Sequence, residues 1–243
     1  AEANVAWRAP VFGENHPLTL EAGLFVTPFG PENFAVHDNW SWSPSNIFSI
    51  LPFQLTGARL GLRVSPSLTV RGGIYSGWDQ VLQDRNGFRT GLFSLEYDRG
   101  ELGYAGVSYM VGVERADADR EGPWTRHSID AFGEYAITSR LSVRGHFFGG
   151  IEPNRLGLTA WAAGALYARV KIFAWMAFAV RGDLVREWVP TGSASLFLTP
   201  RARGVSTFGS ATATLDIRPH RNLAFTIEYR HDHADGSFYY RGV

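Results

Sequence analysis

The sequence predicts an all-β protein: a transmembrane antiparallel up-and-down β-barrel of about twelve strands. Three observations predict it. Apolar and polar residues alternate with a period of two along almost the whole chain, as in LAFTIEYRH (223–231), where Leu223, Phe225, Ile227 and Tyr229 oppose Ala224, Thr226, Glu228 and Arg230. Tight turns alternate with longer connections, the pattern of outer-membrane barrels. The polar faces collect both signs of charge with Gly, Ser and Thr, whereas the apolar faces are built from Leu, Val, Ile, Phe and Ala. A Greek-key sandwich would mix the connection lengths, because some connections cross between sheets. With the apolar face to lipid and the polar face around water, closure leaves no unpaired backbone edge in hydrocarbon.

Taken in order, strands are expected at 4–12, 18–26, 54–64, 67–77, 88–98, 101–113, 126–137, 140–150, 157–170, 174–186, 206–218 and 222–231. Short turns fall at GENHP (13–17), SPS (65–67), RGE (99–101), TSR (138–140), near Ile172, and at PHR (219–221). Longer connections fall at 27–53, 78–87, 114–125, 151–156 and 187–205. Asn86-Gly87 favours a turn with positive φ, marking the tip between 67–77 and 88–98. Placing every short turn on the periplasmic side puts both chain ends outside. Single-chain bacterial barrels have even strand numbers, and both their ends normally lie in the periplasm. One further strand at each end, about fourteen in all, is therefore expected.

The run 158–180 is the one candidate membrane helix, but Arg169 and Lys171 sit at its middle, each costing about 2.5–3.5 kcal/mol there. Cut at those charges it becomes two runs of transmembrane-strand length. Composition narrows the function. The charge is balanced at 23 basic against 23 acidic residues, so no basic excess exists to meet nucleic-acid phosphates. The absence of cysteine rules out disulfides and Cys-based metal sites. All basic residues except Lys171 are Arg, which stays charged in any environment and forks onto carboxylates.

No catalytic motif is present: there is no GxSxG, GxGxxG, Walker loop or HExxH. His231 and His233 share a strand face, but a metal site would need a third ligand that the sequence does not locate, and they are read as a solvated pair in an outer loop. Asp130 and Glu134 lie four apart on one strand face, roughly 13 Å by strand rise. That is too far for an acid–base pair and fits a salt-bridge network with Arg144. No cofactor and no metal is expected. The polar faces nominate Arg59, Arg63, Arg71, Glu96, Asp130, Glu134, Arg144, His146, Arg181, Asp183, Asp216, Glu228 and Arg230 as pore-lining residues. The connection 27–53 is too long and too aromatic for an idle connector. Its Phe29, Glu32, Phe34, Trp40, Trp42 and Phe48 are candidates for a constriction folded into the lumen, or for a cover over the rim.

These residues also carry a resemblance. GLFVTPFGPENF (23–34), Asn39, SNIF (45–48), Pro52, Thr56-Gly57, YSGWD (75–79) and IEYRHD (227–232) resemble the β-barrel porins of the OmpL-like class. The resemblance implies a Gram-negative outer-membrane protein with porin-like passive diffusion, and it brings no solute with it. The expected function is a channel whose wall charges filter small hydrophilic solutes or ions, embedded in outer-membrane lipid, with a homo-oligomer or protein partner open. The alternative is a plugged barrel that scaffolds a partner protein.

Overall fold

The computed structural model describes residues 2–11, 13, 16–81, 86–197 and 206–236. Twelve strands form one antiparallel sheet, each bonded to its sequence neighbour: β1 (Ala3–Ala9), β2 (Leu18–Val26), β3 (Gln54–Ser65), β4 (Leu68–Tyr75), β5 (Thr90–Asp98), β6 (Gly103–Val113), β7 (Thr125–Ala136), β8 (Leu141–Asn154), β9 (Gly157–Phe173), β10 (Met176–Trp188), β11 (Thr207–His220) and β12 (Leu223–Ala234). This is the up-and-down architecture expected from the alternation. Among the described residues no register joins β1 to β12.

Burial alternates as the lipid-out reading requires. On β10, Ala177, Ala179, Arg181, Asp183, Val185 and Glu187 are buried, while Phe178, Val180, Leu184 and Trp188 are exposed. Leu166 is 75% exposed and Ile227 65%, whereas Asp130 is 0% exposed. Hiding a Leu, Ile or Phe from water is worth about 1.5–3 kcal/mol each. A surface of such side chains between tight turns therefore belongs against hydrocarbon. Gly57 lets β3 and β4 approach at the upper end of the sheet: a Cβ there would lie 2.1 Å from the Ile74 carbonyl.

Several expectations need correction. The connection 151–156 is not a long loop: β8 runs on to Asn154, which pairs with Gly157 across a two-residue turn. The Asn154 side chain accepts the Leu156 N–H at 2.9 Å and donates to the Thr159 hydroxyl at 3.1 Å, so the turn closes on its own polar groups. The turn expected near Ile172 comes at 174–175, and β9 carries Lys171 as well as Arg169. Arg169 stays in the strand because Asp216 on the inner face meets it at 3.3 Å. His231 and His233 are not in a loop but on the outward face of β12, opposite Ala211 and Gly209. Gly87 has φ +75° and the Phe88 N–H bonds the Asn86 side chain at 2.9 Å, a local turn within the connection 76–89. Parts of the expected connections (14–15 of GENHP, 82–85 and 198–205) lie outside the described residues.

Candidate functional site: an inward-folded loop and the wall it covers

The connection 27–53 lies against the inner face, and its backbone explains why. A loop removed from water must find partners for its N–H and C=O groups. Here the inward carboxylates of the wall supply the acceptors. Gly30 N–H donates to Asp130 Oδ1 at 2.9 Å. Trp42 and Ser43 donate to Glu228 at 2.7 and 3.0 Å, and Asn46 donates through its backbone and side chain to Asp183 at 3.3 and 2.8 Å. Arginines take the carbonyls: Arg181 reaches Ser43 O at 2.6 Å and Pro44 O at 3.2 Å, Arg230 reaches Pro44 O at 2.6 Å, and Arg218 reaches His37 O at 2.8 Å. A loop crossing from between β2 and β3 is thus tied to β7, β10, β11 and β12.

Within the loop, Glu32 accepts from Ser45 and from Arg181 at 3.2 Å, bracing its two arms. Gly30 has φ +74°, and a Cβ there would sit 3.0 Å from the His146 ring and from Leu51. Apolar side chains fill the space between loop and wall. Phe29 packs on Phe148 at 6.0 Å, and Trp40 sits edge-on to Tyr167 with the Arg144 guanidinium 4.4 Å from its ring centre. Phe34 and Phe48 form a three-ring cluster with Phe53 at 5.3–5.4 Å. Trp42 is exposed, held through its backbone. Phe25, Phe29, Trp40, Ile47, Leu51 and Phe148 belong to one buried cluster. The interior is therefore apolar as well as charged, which the alternation alone did not indicate.

The nominated residues fall into two groups. Asp130, Arg144, His146, Arg181 and Asp183 are buried where the loop packs over them. His146 Nε2 lies 2.6 Å from Asp130, while Arg144 pairs with Glu134 at 2.7 Å and not with Asp130, so the expected network splits in two. The other group stays partly open. Arg59 pairs with Glu21 at 2.8 Å across β3 and β2, Arg71 pairs with Glu96 across β4 and β5, and Arg63 reaches Pro66 O at 2.8 Å. Asp216 is the exception, buried between Arg169 and Arg218 at 3.3 and 2.9 Å, whereas Arg230, partly open, meets Asp232 at 2.8 Å.

Sequence reasoning missed a second cluster at the upper end. Glu152, 1% exposed, is gripped by Arg115 at 2.5 Å and Arg126 at 2.6 Å. Arg115 also lies 3.3 Å from Glu121, which accepts Ser193 Oγ and Ala194 N–H. Burial works against the Glu121 charge, but the Ala194 N–H, Arg115 and the Ser193 hydroxyl together hold its carboxyl below the usual range. Glu187 accepts from Ser195 and from Leu196 N–H. These contacts fold the segment 190–197 inward, so that Phe197 meets Trp161, Trp78 and Phe148 at 5.4–6.4 Å. The usable signal was the alternation, which puts Arg126, Glu152 and Glu187 on inward positions once β8 and β10 are extended.

The crystal structure of the outer membrane channel DcaP of Acinetobacter baumannii superposes with a TM-score of 0.62 at 10% identity, covering 91% of this chain and 68% of that one. At that identity the likeness speaks for the fold. Comparison with curated proteins gives no match. The family model described as "Putative beta-barrel porin-2, OmpL-like" matches residues 1–242, and the chain belongs to that family of bacterial outer-membrane channels.

Proposed function

We propose that the protein passes small hydrophilic solutes or ions by passive diffusion, with the loop 27–53 narrowing the bore against β7–β12 and leaving the lower wall of β1–β5 to meet the solute. The observation that carries this reading is the way the loop is held. Its N–H groups occupy the inward carboxylates Asp130, Asp183 and Glu228, so those charges are spent on positioning the loop. The inward positions of β1–β5 carry Arg8, Arg59, Arg63 and Arg71 against Glu21, Glu96 and Asp98. Two pairs cancel, leaving Arg8 and Arg63 against Asp98 at the turn, and the bore has a mild anion preference. No chemical step is required: wall charge and width do the filtering.

A planar-bilayer recording under a salt gradient tests it. Discrete conductance with a reversal potential of weak anionic sign is expected, and Arg8→Gln with Arg63→Gln moves that potential towards zero. Strong cation selectivity would overturn the assignment. A second reading, a sealed barrel that scaffolds a partner protein, draws on the apolar cluster packed around Phe148 and Phe197. Absent conductance together with a stoichiometric partner in the purified complex would favour it.

A further inference from the structure

One buried ionisable pair beneath the loop takes no part in the charge of the bore. The side chains of Asp130 on β7 and His146 on β8 are 0% and 1% exposed, and His146 Nε2 lies 2.6 Å from Asp130 Oδ2. The other carboxylate oxygen, Oδ1, holds the Gly30 N–H at 2.9 Å. A carboxylate accepting on both oxygens fixes the tautomer: the ring donates through Nε2–H, and Nδ1 carries the lone pair. That Nδ1 is buried and has no hydrogen-bond partner among the described residues. Gly30 lies over the neighbouring edge of the ring, where a Cβ would sit 3.0 Å from Cε1 and 3.4 Å from Nε2. Phe132 stands edge-on to the ring at 6.4 Å.

The other ionisable groups that face this ring are committed elsewhere. On its own strand Arg144 pairs with Glu134 of β7. β9 places Ala165 beside it, and in the same row Asp183 of β10 takes Asn46 and Ser210 and lies 3.4 Å from Arg181. Glu32 of the loop takes Ser45 and Arg181. A further proton on His146 therefore goes to Nδ1, where none of them receives it, and a buried N–H without an acceptor is costly. Lifting the Gly30 arm off the ring edge lets water take that bond. Asp130 and the ring both sit on the wall, so their attraction persists in either state and does not choose between them. The proton thus favours the lifted arm, and a ligand shifts an equilibrium by its differential affinity for the two states. We propose that Asp130 and His146 form a proton-operated latch, which seats residues 28–31 at neutral pH and releases them on acidification. That release widens the bore rests on the loop being its constriction; the release itself does not.

Hydrogen exchange of the detergent-purified protein, read by mass spectrometry on the peptide 27–34 and corrected for the intrinsic pH dependence, tests this. Protection of that peptide is expected to fall about tenfold between about pH 7.5 and about pH 5.5, within the limit of roughly tenfold per unit that one proton sets. His146→Gln keeps a donor for Asp130 and loses the titration, so its protection should not change over that range. His127→Gln, on the outward face opposite Ile151, should behave as the wild type. Protection independent of pH in the wild type, or a dependence that survives in His146→Gln, would overturn the proposal. Should His146→Gln fail to fold, the wild type alone decides. Its loss of protection must have a midpoint where histidine titrates, about pH 5–8, and must spare the segment 190–197; a midpoint in the carboxylate range, or loss in both segments together, overturns the latch. Bilayer recordings at the same two pH values separate latch from bore. Higher conductance at the lower pH supports both, whereas unchanged conductance beside pH-dependent exchange supports the latch and overturns the loop as constriction.

Discussion

The wall of β7–β12 and the wall of β1–β5 share one alternation and one set of residue types, yet their inward charges end differently. On β7 and β10, Asp130 and Asp183 are buried and accept N–H groups of the loop at 2.8–3.3 Å. On β2–β5, Glu21 and Glu96 face arginines of the adjacent strand and keep contact with solvent. The cause is not in the strands themselves. One long connection had to satisfy its backbone indoors, and it took the carboxylates it could reach. An inward charge thus acts as structural cement where a loop covers it and as part of a water-facing wall where none does.

The largest expected effect separates these two roles. Asp183 also accepts Ser210 Oγ at 2.5 Å and lies 3.4 Å from Arg181. Asp183→Ala strips three donors of their acceptor and leaves the Arg181 guanidinium short of a counter-charge, a loss of about 3–5 kcal/mol. Glu96→Ala removes half of a partly exposed pair and should cost no more than about 1 kcal/mol. Urea unfolding in detergent compares the two. Losses of similar size would mean that the covered and uncovered walls are energetically alike.

The second effect sharpens the contrast through the backbone. Gly30 holds φ +74° with the His146 ring and Leu51 at 3.0 Å from a notional Cβ. Gly30→Ala therefore costs about 1–2 kcal/mol for the left-handed conformation, before any clash, and it loosens the N–H bond to Asp130. Gly61, on β3 of the open wall, would place its Cβ at an ordinary 3.5 Å from Arg71, and alanine there should be neutral or stabilising by up to about 1 kcal/mol. Limited proteolysis between residues 36 and 42 reads the loosening, expected in Gly30→Ala and absent in Gly61→Ala.

Legibility in the sequence divides along the same line. The strands were readable because period-two alternation is a local signal: β2 runs Leu18–Val26 as expected, and the other boundaries shift by a few residues. The inward facing of Asp130, Arg144, Arg181 and Asp183 followed from the same rule. What the loop does with them did not, since Gly30 meets Asp130 across 100 residues and Asn46 meets Asp183 across 137. Sequence periodicity holds no information at that range. The β8–β9 turn was misread because Pro153 and Asn154 look like loop residues, whereas the grip of Arg115 and Arg126 on Glu152 carries the strand past them.

The smallest effect compares two carboxylates outside the strands. Asp79, at φ +53°, accepts the Phe53 and Gln54 N–H groups at 2.5 and 3.0 Å, fastening the end of the long loop to the β4–β5 connection. Desolvation of its carboxyl outweighs these two bonds and raises its pKa above 3.8. The folded state then binds the proton more tightly than the unfolded one. Its contribution favours folding below pH 3.8 and declines as pH rises through the raised value. Asp235 is the reverse: hydrogen bonds from the Ser206 hydroxyl and N–H lower it from 3.8 to about 2. Its contribution is present above pH 3.8 and disappears as pH falls towards 2. Asp79→Asn keeps the acceptor oxygen, tolerates positive φ, and should stabilise at pH 7 by a few tenths of a kcal/mol at most, since the side chain is open enough for solvent to screen it. Asp235→Asn should weaken the protein at pH 7 and leave it unchanged near pH 2. Unfolding of both variants across pH 2–7 tests the pair. Curves of the same slope would show that these two carboxylates share one environment, and that the contrast between covered and open acids stops at the inner wall.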